Sequence, residues 1–278
     1  MSPTILACFA HPDDEVFGTG GTFLHYAAQG ATIHLICATR GDVGEVSDPS
    51  LATAQTIGQV RTEELRCSAR TLGIQEPILL DYRDSGMAGT PENEDPRAFI
   101  NAQANDVVGR LVSIMRRLKP DVVITFDPKG GYGHPDHIAI HRHTMAAARA
   151  AGDASQFPEA GPAWQPGRLY YRAWSRSQFD EMGRQLDVMG VERGFLAYAE
   201  QHGMVWPDEA ISVSMDVTEF VEAKRRAYLC HATQFGPDHH WRRASAQALR
   251  AIFGREHFVL AWPAREEGAD LVGLLGEK

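Results

Sequence analysis

Short apolar runs alternate with longer amphipathic segments through the first half of the chain. Four of these runs are rich in β-branched residues, which is typical of strands that are buried on both faces of a sheet. They are TILACFA (4–10), ATIHLICAT (31–39), PILLDY (77–82) and DVVITFD (121–127). The pattern therefore predicts four buried strands.

Helix-like segments lie between these strands, and each of them meets a residue that stops a helix. Residues 16–29 precede Gly30, residues 53–72 end at Gly73, and residues 97–118 end before Pro120. Strands that alternate with helices form right-handed βαβ units around a parallel sheet. We therefore predict an α/β fold, with a Rossmann-like and mostly parallel sheet flanked by helices.

The second half of the chain carries weaker patterns. RLYYRAW (168–174) predicts a further strand, and ISVSMDV (211–217) alternates apolar and polar residues as an edge strand does. TEFVEAKRRAYLCHATQF (218–235) predicts a helix with Thr218 as its N-cap.

No boundary between domains stands out in the sequence. Residues 151–168 contain several prolines and glycines and predict a loop, and residues 236–278 are polar and mixed. We predict one domain over residues 1–278, in which residues 151–278 add C-terminal strands and helices to a core formed by residues 1–150.

Composition narrows the class of protein. The chain has 278 residues, of which 44% are hydrophobic and 23% charged, so it can bury a full core. A net charge of −9 argues against a nucleic-acid partner, because proteins that grip a phosphate backbone present a basic face. No apolar run reaches the roughly 18 residues of a membrane span, so we expect no membrane partner.

The four cysteines show no metal-binding spacing such as CxxC. Cys8 and Cys37 lie inside predicted strands, and we expect them to be buried as small hydrophobic residues. Because no secretory leader pattern is seen either, we expect a soluble protein in a reducing cytoplasm.

A polar loop follows each of the four predicted strands. In open α/β sheets, ligands bind beyond the carboxyl ends of the strands, so these loops share one rim. They contain AHPDDE (10–15), TRGDVGE (39–45), RDSG (83–86) and DPKGGYGHPDHIAIH (127–141). Buried charges need an opposite charge or a metal ion, so the convergence of acids and histidines predicts a cation site.

The histidines of the last loop have helical spacing. Pro135 suits a first helical turn, so that His134, His137 and His141 share one helix face. Zn²⁺ accepts imidazole nitrogen and carboxylate oxygen, and a catalytic zinc site has three protein ligands and an open position.

A complete ligand set can be drawn from the first and last loops: His11, with Asp13 or Asp14, plus one histidine of the last loop. HExxH is absent, so the helix of the common zinc proteases is not predicted. GTGG (18–21) lacks the spacing of a dinucleotide-binding loop.

These motifs resemble the LmbE-like (PIG-L) family of de-N-acetylases. The resemblance rests on AHPDDE and on GHPDH (133–137), and it extends through VRTEEL (60–65), YRDSGM (82–87) and KRRAYLCHATQ (224–234). It implies a Rossmann-like α/β layer with a metal at the strand carboxyl ends. It also implies a metal-dependent amidohydrolase that removes acetyl from N-acetylglucosamine-type groups.

The resemblance further implies roles for individual residues. His11, Asp14 and His137 would bind Zn²⁺, although the same ligands accept Fe²⁺, Co²⁺ or Mn²⁺. Asp13 would be the general base. His134 would not be a ligand, but as a cationic imidazole would stabilise the oxyanion and protonate the leaving amine.

Two further residues match positions that hold substrate in the family. Arg61 would bind a carboxylate or sugar hydroxyls, and Asp84 would accept hydrogen bonds from hydroxyls. Other neighbours carry weaker expectations. Glu15 and His141 are expected to support the site or its packing, His231 to orient a site residue, Tyr132 to reach the site, and His143, His239 and His240 to lie on the surface.

The acetylated amino-sugar substrate stays open between two main candidates. N-acetylglucosaminyl malate, a precursor of bacillithiol, is favoured slightly, because Arg61, Arg83 and Lys129 could face its two carboxylates. N-acetylglucosaminyl inositol is the alternative. Two other classes also fit the rim: a two-metal phosphoester hydrolase, and a metal- or sugar-binding protein without catalysis. A homo-oligomer is compatible with the polar C-terminal 40 residues.

Overall fold

The computed structural model describes residues 2–264 and 273–276. Its strands are β1 (Thr4–Phe9), β2 (Thr32–Thr39), β3 (Ile78–Tyr82), β4 (Val122–Thr125), β5 (Arg168–Ala173), β6 (Val213–Asp216) and β7 (Arg255–Trp262). In the described residues they form a seven-stranded sheet of order β3-β2-β1-β4-β5-β7-β6. The first five strands pair in parallel, and β7 runs antiparallel to both of its neighbours. The predicted fold class is confirmed.

Helices flank the sheet on both faces. They are α1 (Gly20–Ala28), α2 (Ile57–Leu72), α3 (Ala104–Leu118), α4 (Gly130–Gly133), α5 (Pro135–Ala151), α6 (Arg176–Val188), α7 (Gly194–Gln201), α8 (Val221–Cys230), α9 (His240–Arg243) and α10 (Ala246–Phe253). α1, α2 and α8 pack together, and α3 packs on α5. The crossovers from β1 to β2 and β3 run one way along the sheet, and those from β3 to β4 and β5 run the other way, so right-handed connections place the two groups of helices on opposite faces.

The core lies between the sheet and these two helical layers. The side chains of Ile5, Leu6 and Phe9 on β1 have no exposed surface, because β1 has a strand on either side and a helical layer on each face. Parallel strands in this position read as continuous apolar runs, which explains why the sequence pattern located them.

The first helices begin later than their sequence pattern predicts. α1 starts at Gly20 instead of residue 16, and α2 starts at Ile57 instead of residue 53. The preceding residues form turns at the rim of the sheet, where their polar groups find partners outside a helix. The predicted stop of α2 is confirmed, since Gly73 adopts a left-handed conformation with φ of 74°.

The C-terminal half contains more regular structure than the sequence predicts. β5 and the edge strand β6 are confirmed, but Thr218 opens a 3-10 turn and α8 begins only at Val221. β7 falls in a segment that is polar and mixed and for which no strand is predicted, because its apolar run, residues 258–262, follows three polar residues that include the buried Glu256. Glu256 accepts hydrogen bonds from the backbone N–H groups of Gly21 and Thr22, at 3.0 and 2.7 Å.

The cysteines divide into two pairs. Cys8 and Cys37 are buried as predicted. Cys67 and Cys230 form a disulfide with a Cα–Cα distance of 5.8 Å, which joins α2 to α8 and was not predicted from the sequence. Structural disulfides are rare in the reducing compartment that we expected.

Part of the predicted domain lies outside the described residues, and the expected absence of a membrane span can be checked only within them. The predicted domain of residues 1–278 includes residues 265–272 and 277–278, which lie outside the described part of the chain, as does Met1. Among the described residues, no helix has both the length and the hydropathy that a membrane span requires.

Candidate metal centre and active site

The loops after β1 and β4 meet at one point of the sheet rim. These two strands pair with each other, and the strand order reverses between them, which is where open α/β sheets bind their ligands. The first loop brings His11, Asp13 and Asp14, and the start of α5 brings His134 and His137. The structure thus brings together the residues that the two histidine motifs single out.

His11, Asp14 and His137 form a compact cluster of possible ligand atoms. Nδ1 of His11 lies 3.1 Å from Nε2 of His137. Oδ1 of Asp14 lies 3.3 Å from the same Nε2, and Oδ2 of Asp14 lies 3.7 Å from Nδ1 of His11. Ligands held about 2.0–2.1 Å from a tetrahedral Zn²⁺ are about 3.3 Å apart. The separations of Nε2 of His137 from Nδ1 of His11 and from Oδ1 of Asp14 match that spacing, so the donor atoms suit a zinc ion.

The protonation of the two histidines supports this fit. Nδ1 of His137 lies 3.0 Å from the carbonyl oxygen of Gly130, so it carries the proton and leaves the Nε2 lone pair facing the cluster. Burial is the main reason that the pKa of His137 lies well below its usual value.

The pKa of His11 is shifted in the opposite direction. Burial opposes its charged form, but the carboxylates of Asp84, Asp136 and Asp14 outweigh that effect and raise the pKa of His11 well above its usual value. The cluster therefore attracts positive charge. Either a proton or a metal ion can supply that charge, and a metal ion would bring the lone pairs of His11 and His137 together.

Nitrogen atoms of His11, His134 and His137 also lie within 4.8 Å of one another. Distance alone would therefore allow His134 as a third nitrogen ligand. However, Nδ1 of His134 already accepts a hydrogen bond from the backbone N–H of Asp136, at 3.2 Å, and caps α5. Its Nε2 atom then carries the proton of the neutral ring, and is a hydrogen-bond donor instead of a ligand.

Burial, together with the nearby positive charge of His11, lowers the pKa of His134 to about 4. The resemblance implied a cationic imidazole at this position. The structure instead favours a neutral ring that can donate one hydrogen bond from Nε2.

Asp13 is held in an unusual backbone conformation. Its φ of 111° lies in the left-handed region that non-glycine residues avoid, so its surroundings must hold it there. The backbone N–H of Asp13 donates to Oε2 of Glu15 at 2.9 Å, and Nη2 of Arg61 lies 3.2 Å from its Oδ2. Burial raises the pKa of the Asp13 carboxyl, and the Arg61 charge opposes the rise.

Glu15 connects the first loop to two distant parts of the chain. Its Oε1 atom accepts hydrogen bonds from the Ser68 hydroxyl at 2.5 Å and from Nε2 of His231 at 2.7 Å. The pKa of Glu15 is lowered because His231 and Ser68 outweigh the effect of burial. His231 thus orients a residue of the site, as expected, and does so through Glu15.

Arg61 is almost completely enclosed, with 4% of its surface exposed. Nη1 donates to the carbonyl oxygen of Gly41 at 3.0 Å, and Nη2 donates to that of Pro12 at 2.7 Å. A Cβ atom at Gly41, where φ is 63°, would collide with the guanidinium. These contacts favour a role in holding the rim loops, over the substrate contact that the resemblance implied.

Asp84 lies on the other side of His11, with 4% of its surface exposed. Its Oδ1 atom is 3.6 Å from Nε2 of His11 and accepts a hydrogen bond from the Gly86 N–H at 2.9 Å. Burial opposes ionisation, but the nearby charge of His11 holds the pKa of Asp84 well below its usual range.

Two residues near the cluster were missed in the sequence. Asp136 lies 3.2 Å from Nε2 of His11 and accepts hydrogen bonds from the Ser85 N–H and hydroxyl, at 2.9 and 2.5 Å. Its place inside HPDH could have pointed to it. Arg172 lies at the carboxyl end of β5, with its guanidinium 4.7 Å from the Phe126 ring centroid. The rule that ligands bind beyond the carboxyl ends of parallel strands could have pointed to Arg172.

The other histidines divide between confirmed and wrong expectations. Nδ1 of His141 lies 2.8 Å from the carbonyl oxygen of Phe126, so His141 supports packing as expected. His143 is half-buried against Phe99, with ring centroids 5.7 Å apart, and His239 and His240 line a cavity. The surface expectation for these three was wrong, because each is partly buried against aromatic side chains, His143 on Phe99, His239 on Tyr228 and His240 on Trp241.

Solved structures share this fold. N,N'-diacetylchitobiose deacetylase from Pyrococcus horikoshii aligns with a TM-score of 0.65 and 22% identity, over 92% of this chain and 83% of the other. GalB, the 4-carboxy-2-hydroxymuconate hydratase from Pseudomonas putida KT2440, aligns with a TM-score of 0.62 and 20% identity, over 95% and 98%. Since one is a deacetylase and the other a hydratase, the fold alone leaves the reaction open.

The sequence comparisons define the class. Residues 6–148 match the family model described as PIG-L: GlcNAc-PI de-N-acetylase. A relative from Rhodococcus jostii (strain RHA1), 1D-myo-inositol 2-acetamido-2-deoxy-alpha-D-glucopyranoside deacetylase, is 38% identical over 275 residues, covering 95% of this chain and 93% of the relative. The class is that of amidohydrolases that deacetylate N-acetyl sugars. This chain belongs to the PIG-L de-N-acetylase family, which confirms the resemblance seen in its sequence.

Proposed function

We propose that this enzyme hydrolyses the acetamide of N-acetylglucosaminyl inositol to acetate and the free glucosaminyl inositol. The observation that carries the reaction type is the cluster of His11, Asp14 and His137 with the carboxylate of Asp13, held by Arg61, beside it. The similarity to the inositol-glycoside deacetylase of R. jostii supports the choice of inositol. That choice replaces malate, which the sequence alone had favoured.

His11, Asp14 and His137 are proposed to hold a zinc ion. When bound, zinc supplies a Lewis acid that polarises the amide carbonyl and acidifies a water molecule. The ligand atoms stand at separations of 3.1 to 3.7 Å and belong to three side chains with at most 7% exposure. Fe²⁺, Co²⁺ and Mn²⁺ accept the same nitrogen and oxygen ligands.

Asp13 is proposed as the general base that takes a proton from the attacking water. Burial raises its pKa, and a less acidic carboxyl is a better base for a carboxylate-assisted hydrolysis. Arg61 and Glu15 hold the carboxylate and its backbone in one orientation.

His134 is proposed to donate a hydrogen bond from Nε2 to the oxyanion that forms as water attacks. The Asp136 N–H fixes the tautomer by donating to Nδ1. A donor fixed in advance costs no reorganisation when charge develops. The water oxygen ends in the acetate, the C–N bond breaks, and a proton passes to the leaving nitrogen.

Asp84 is proposed to accept hydrogen bonds from sugar hydroxyls at the rim. Its ionised state suits an acceptor, and it lies beside His11 on the side of the cluster that the β3 loop forms. Arg61 was the other substrate candidate, and its contacts make it a residue that positions Asp13.

A two-metal phosphoester hydrolase receives less support. A second ion would need Asp84 and Asp136 as ligands beside His11. Both oxygens of Asp136 already accept hydrogen bonds from Ser85. We therefore expect about one equivalent of metal per chain.

The test is acetate release from N-acetylglucosaminyl inositol and from N-acetylglucosaminyl malate, with protein of known metal content. Release from the inositol glycoside that stops on chelation and returns with zinc supports the proposal. Preferential release from malate would overturn the choice of aglycone. No release from either glycoside, by protein with one bound metal, would overturn the proposed reaction on these sugars.

A further inference from the structure

A large cavity opens directly beside Asp13 and Asp14. Its volume is about 410 Å³, within the range of roughly 300–1,000 Å³ that is typical of pockets for drug-sized ligands. The methyl group of an acetamide would fill only a small part of it. The cavity therefore has room for a group larger than the acetyl group of the proposed reaction.

The outer wall of the cavity is apolar. It is formed largely by α6, α7 and α10, which pack together as a small hydrophobic cluster of their own. Side chains that face the cavity from this wall include Met182, Leu186, Phe195 and Ile252. A wall of this composition favours an aliphatic or aromatic group over a polyol.

The nitrogen donors of two polar side chains in the wall, Lys224 and Gln178, have partners inside the protein, whereas Oε1 of Gln178 is buried without one among the described residues. Nζ of Lys224 lies 2.5 Å from Oε1 of Glu256, and Nε2 of Gln178 donates to the carbonyl oxygen of Arg255 at 2.8 Å. These groups are therefore largely satisfied before any ligand enters. The cavity consequently offers mainly apolar contact to its occupant.

The cavity lies on one side of the reacting centre. Asp13, Asp14, Tyr132 and Arg172 line its inner end, whereas His134, among the described residues, is not part of its lining. Asp84, on the polar rim after β3, lies across His11 from the cavity, because Nδ1 of His11 is 3.7 Å from Asp14 and its Nε2 is 3.6 Å from Asp84.

The direction of the scissile amide follows from this asymmetry. If the sugar hydroxyls face Asp84, as proposed above, the amine side of the amide points to the polar rim. The acyl carbon chain on the other side of the carbonyl then points past Asp13 into the apolar cavity.

We propose that this enzyme also hydrolyses N-acyl glucosaminides whose acyl chain is longer than acetyl, with the chain bound in this cavity. The preferred class is a linear aliphatic acyl group of about four to eight carbons. This inference rests on the proposed function, because it uses the same metal centre, base and sugar orientation. Hydrolysis releases the corresponding fatty carboxylate and the same free amine.

The first test compares kcat/KM for acetyl, butanoyl, hexanoyl and octanoyl amides of glucosaminyl inositol, read as free amine. Each methylene moved from water to an apolar wall strengthens binding by about fourfold. We expect KM to fall along the series and kcat/KM for hexanoyl to exceed that for acetyl at least ~10-fold. Activity on acetyl that is lost at butanoyl would overturn this inference and leave the deacetylase proposal intact. If none of the four amides is hydrolysed, both this inference and the deacetylase proposal are wrong.

A variant pair locates the chain in the cavity. Leu186→Trp fills the cavity from α6, and Val188→Trp adds the same side chain on the outer face of that helix, where Val188 is 82% exposed. We expect Leu186→Trp to reduce the hexanoyl-to-acetyl ratio of kcat/KM at least ~10-fold, and Val188→Trp to leave it unchanged. An unchanged ratio in Leu186→Trp would place the chain elsewhere.

A hexyl glycoside of N-acetylglucosamine tests the competing occupant. If its kcat/KM, and not that of the hexanoyl amide, is lowered by Leu186→Trp, the cavity binds the aglycone and the inference is wrong. Binding without turnover gives an independent readout, because Trp174 and Trp241 line the cavity. Hexanoate, but not acetate, should change the tryptophan fluorescence of the metal-free protein, and no change with hexanoate would count against the assignment.

Discussion

Nε2 of His231 lies 2.7 Å from Oε1 of Glu15, although 216 positions separate them in the chain. Both residues are buried; burial opposes the charged form of His231, but the Glu15 carboxylate outweighs that effect and raises the pKa of His231. Glu15 in turn accepts the backbone N–H of Asp13. The end of α8 therefore helps to set the position of the proposed base.

His231→Phe should lower kcat about 10- to 100-fold with little change in KM, because partners behind a metal site typically contribute that much. The variant should retain its metal, since His231 is not in the ligand cluster. Steady-state kinetics on protein of measured metal content checks this. His143→Phe, a half-buried histidine away from the cluster, is the control and should stay near wild type. A normal kcat in His231→Phe would contradict the positioning role.

Asp13→Asn should retain the metal and lose most of its turnover, about 10²- to 10⁴-fold, because it removes only the proposed base. His11→Ala should lose both metal and turnover. Metal analysis and acetate release on the same preparations separate the two. Asp81→Asn, at an exposed acid paired with Arg40, is the control for losing a carboxylate. Near-normal turnover by Asp13→Asn would rule out the base assignment.

His134→Ala should lower kcat about 10²- to 10³-fold, the usual effect of removing one oxyanion donor. Because Nδ1 of His134 is engaged by Asp136, metal content should not change. The two possible roles of His134, oxyanion donor and metal ligand, therefore predict different metal contents for the variant. A variant that loses its metal would show that His134 is a ligand.

Arg61→Lys keeps the positive charge but cannot reach Gly41, Pro12 and Asp13 together. A positioning role predicts a kcat at least ~10-fold lower with an unchanged KM. A substrate-binding role predicts a higher KM instead. Saturation curves on the preferred glycoside distinguish these outcomes, with Arg66→Lys on the exposed face of α2 as the control.

Loss of the Cys67–Cys230 disulfide should destabilise the protein by about 3–5 kcal/mol, because it closes a loop across 163 positions. Urea unfolding of the wild type with and without a reductant, next to Cys67→Ser, measures this. The reductant should lower the midpoint of the wild type to that of Cys67→Ser and leave the variant unchanged. Equal midpoints in all four samples would show that the disulfide does not form in solution.

The central strands and the histidine cluster could be predicted because their signals are local. Apolar runs mark β1 and β4, and HPDDE and HPDH follow them directly. β7 was not predicted, although residues 258–262 form an apolar run, because three polar residues precede that run and the partners that bury Glu256, such as Lys224 and Gly21, lie far away in sequence.

The positions of single side chains were harder to anticipate than the site itself. Arg61 was expected at the substrate because its residue type suits that role, and no local pattern shows that it turns towards Gly41. The contact of Thr233 with Glu64, which ties two family motifs together at 2.7 Å, is equally invisible in one sequence.

The strand order has a consequence for synthesis on the ribosome. β6 is made before β7, yet in the described sheet β7 lies between β6 and β5. Until β7 emerges, β6 has no neighbour to pair with, and Glu256 cannot meet the start of α1. The nascent chain must therefore hold an unfinished sheet edge at β5 until residues 255–262 have been added, and β7 then inserts between β5 and β6.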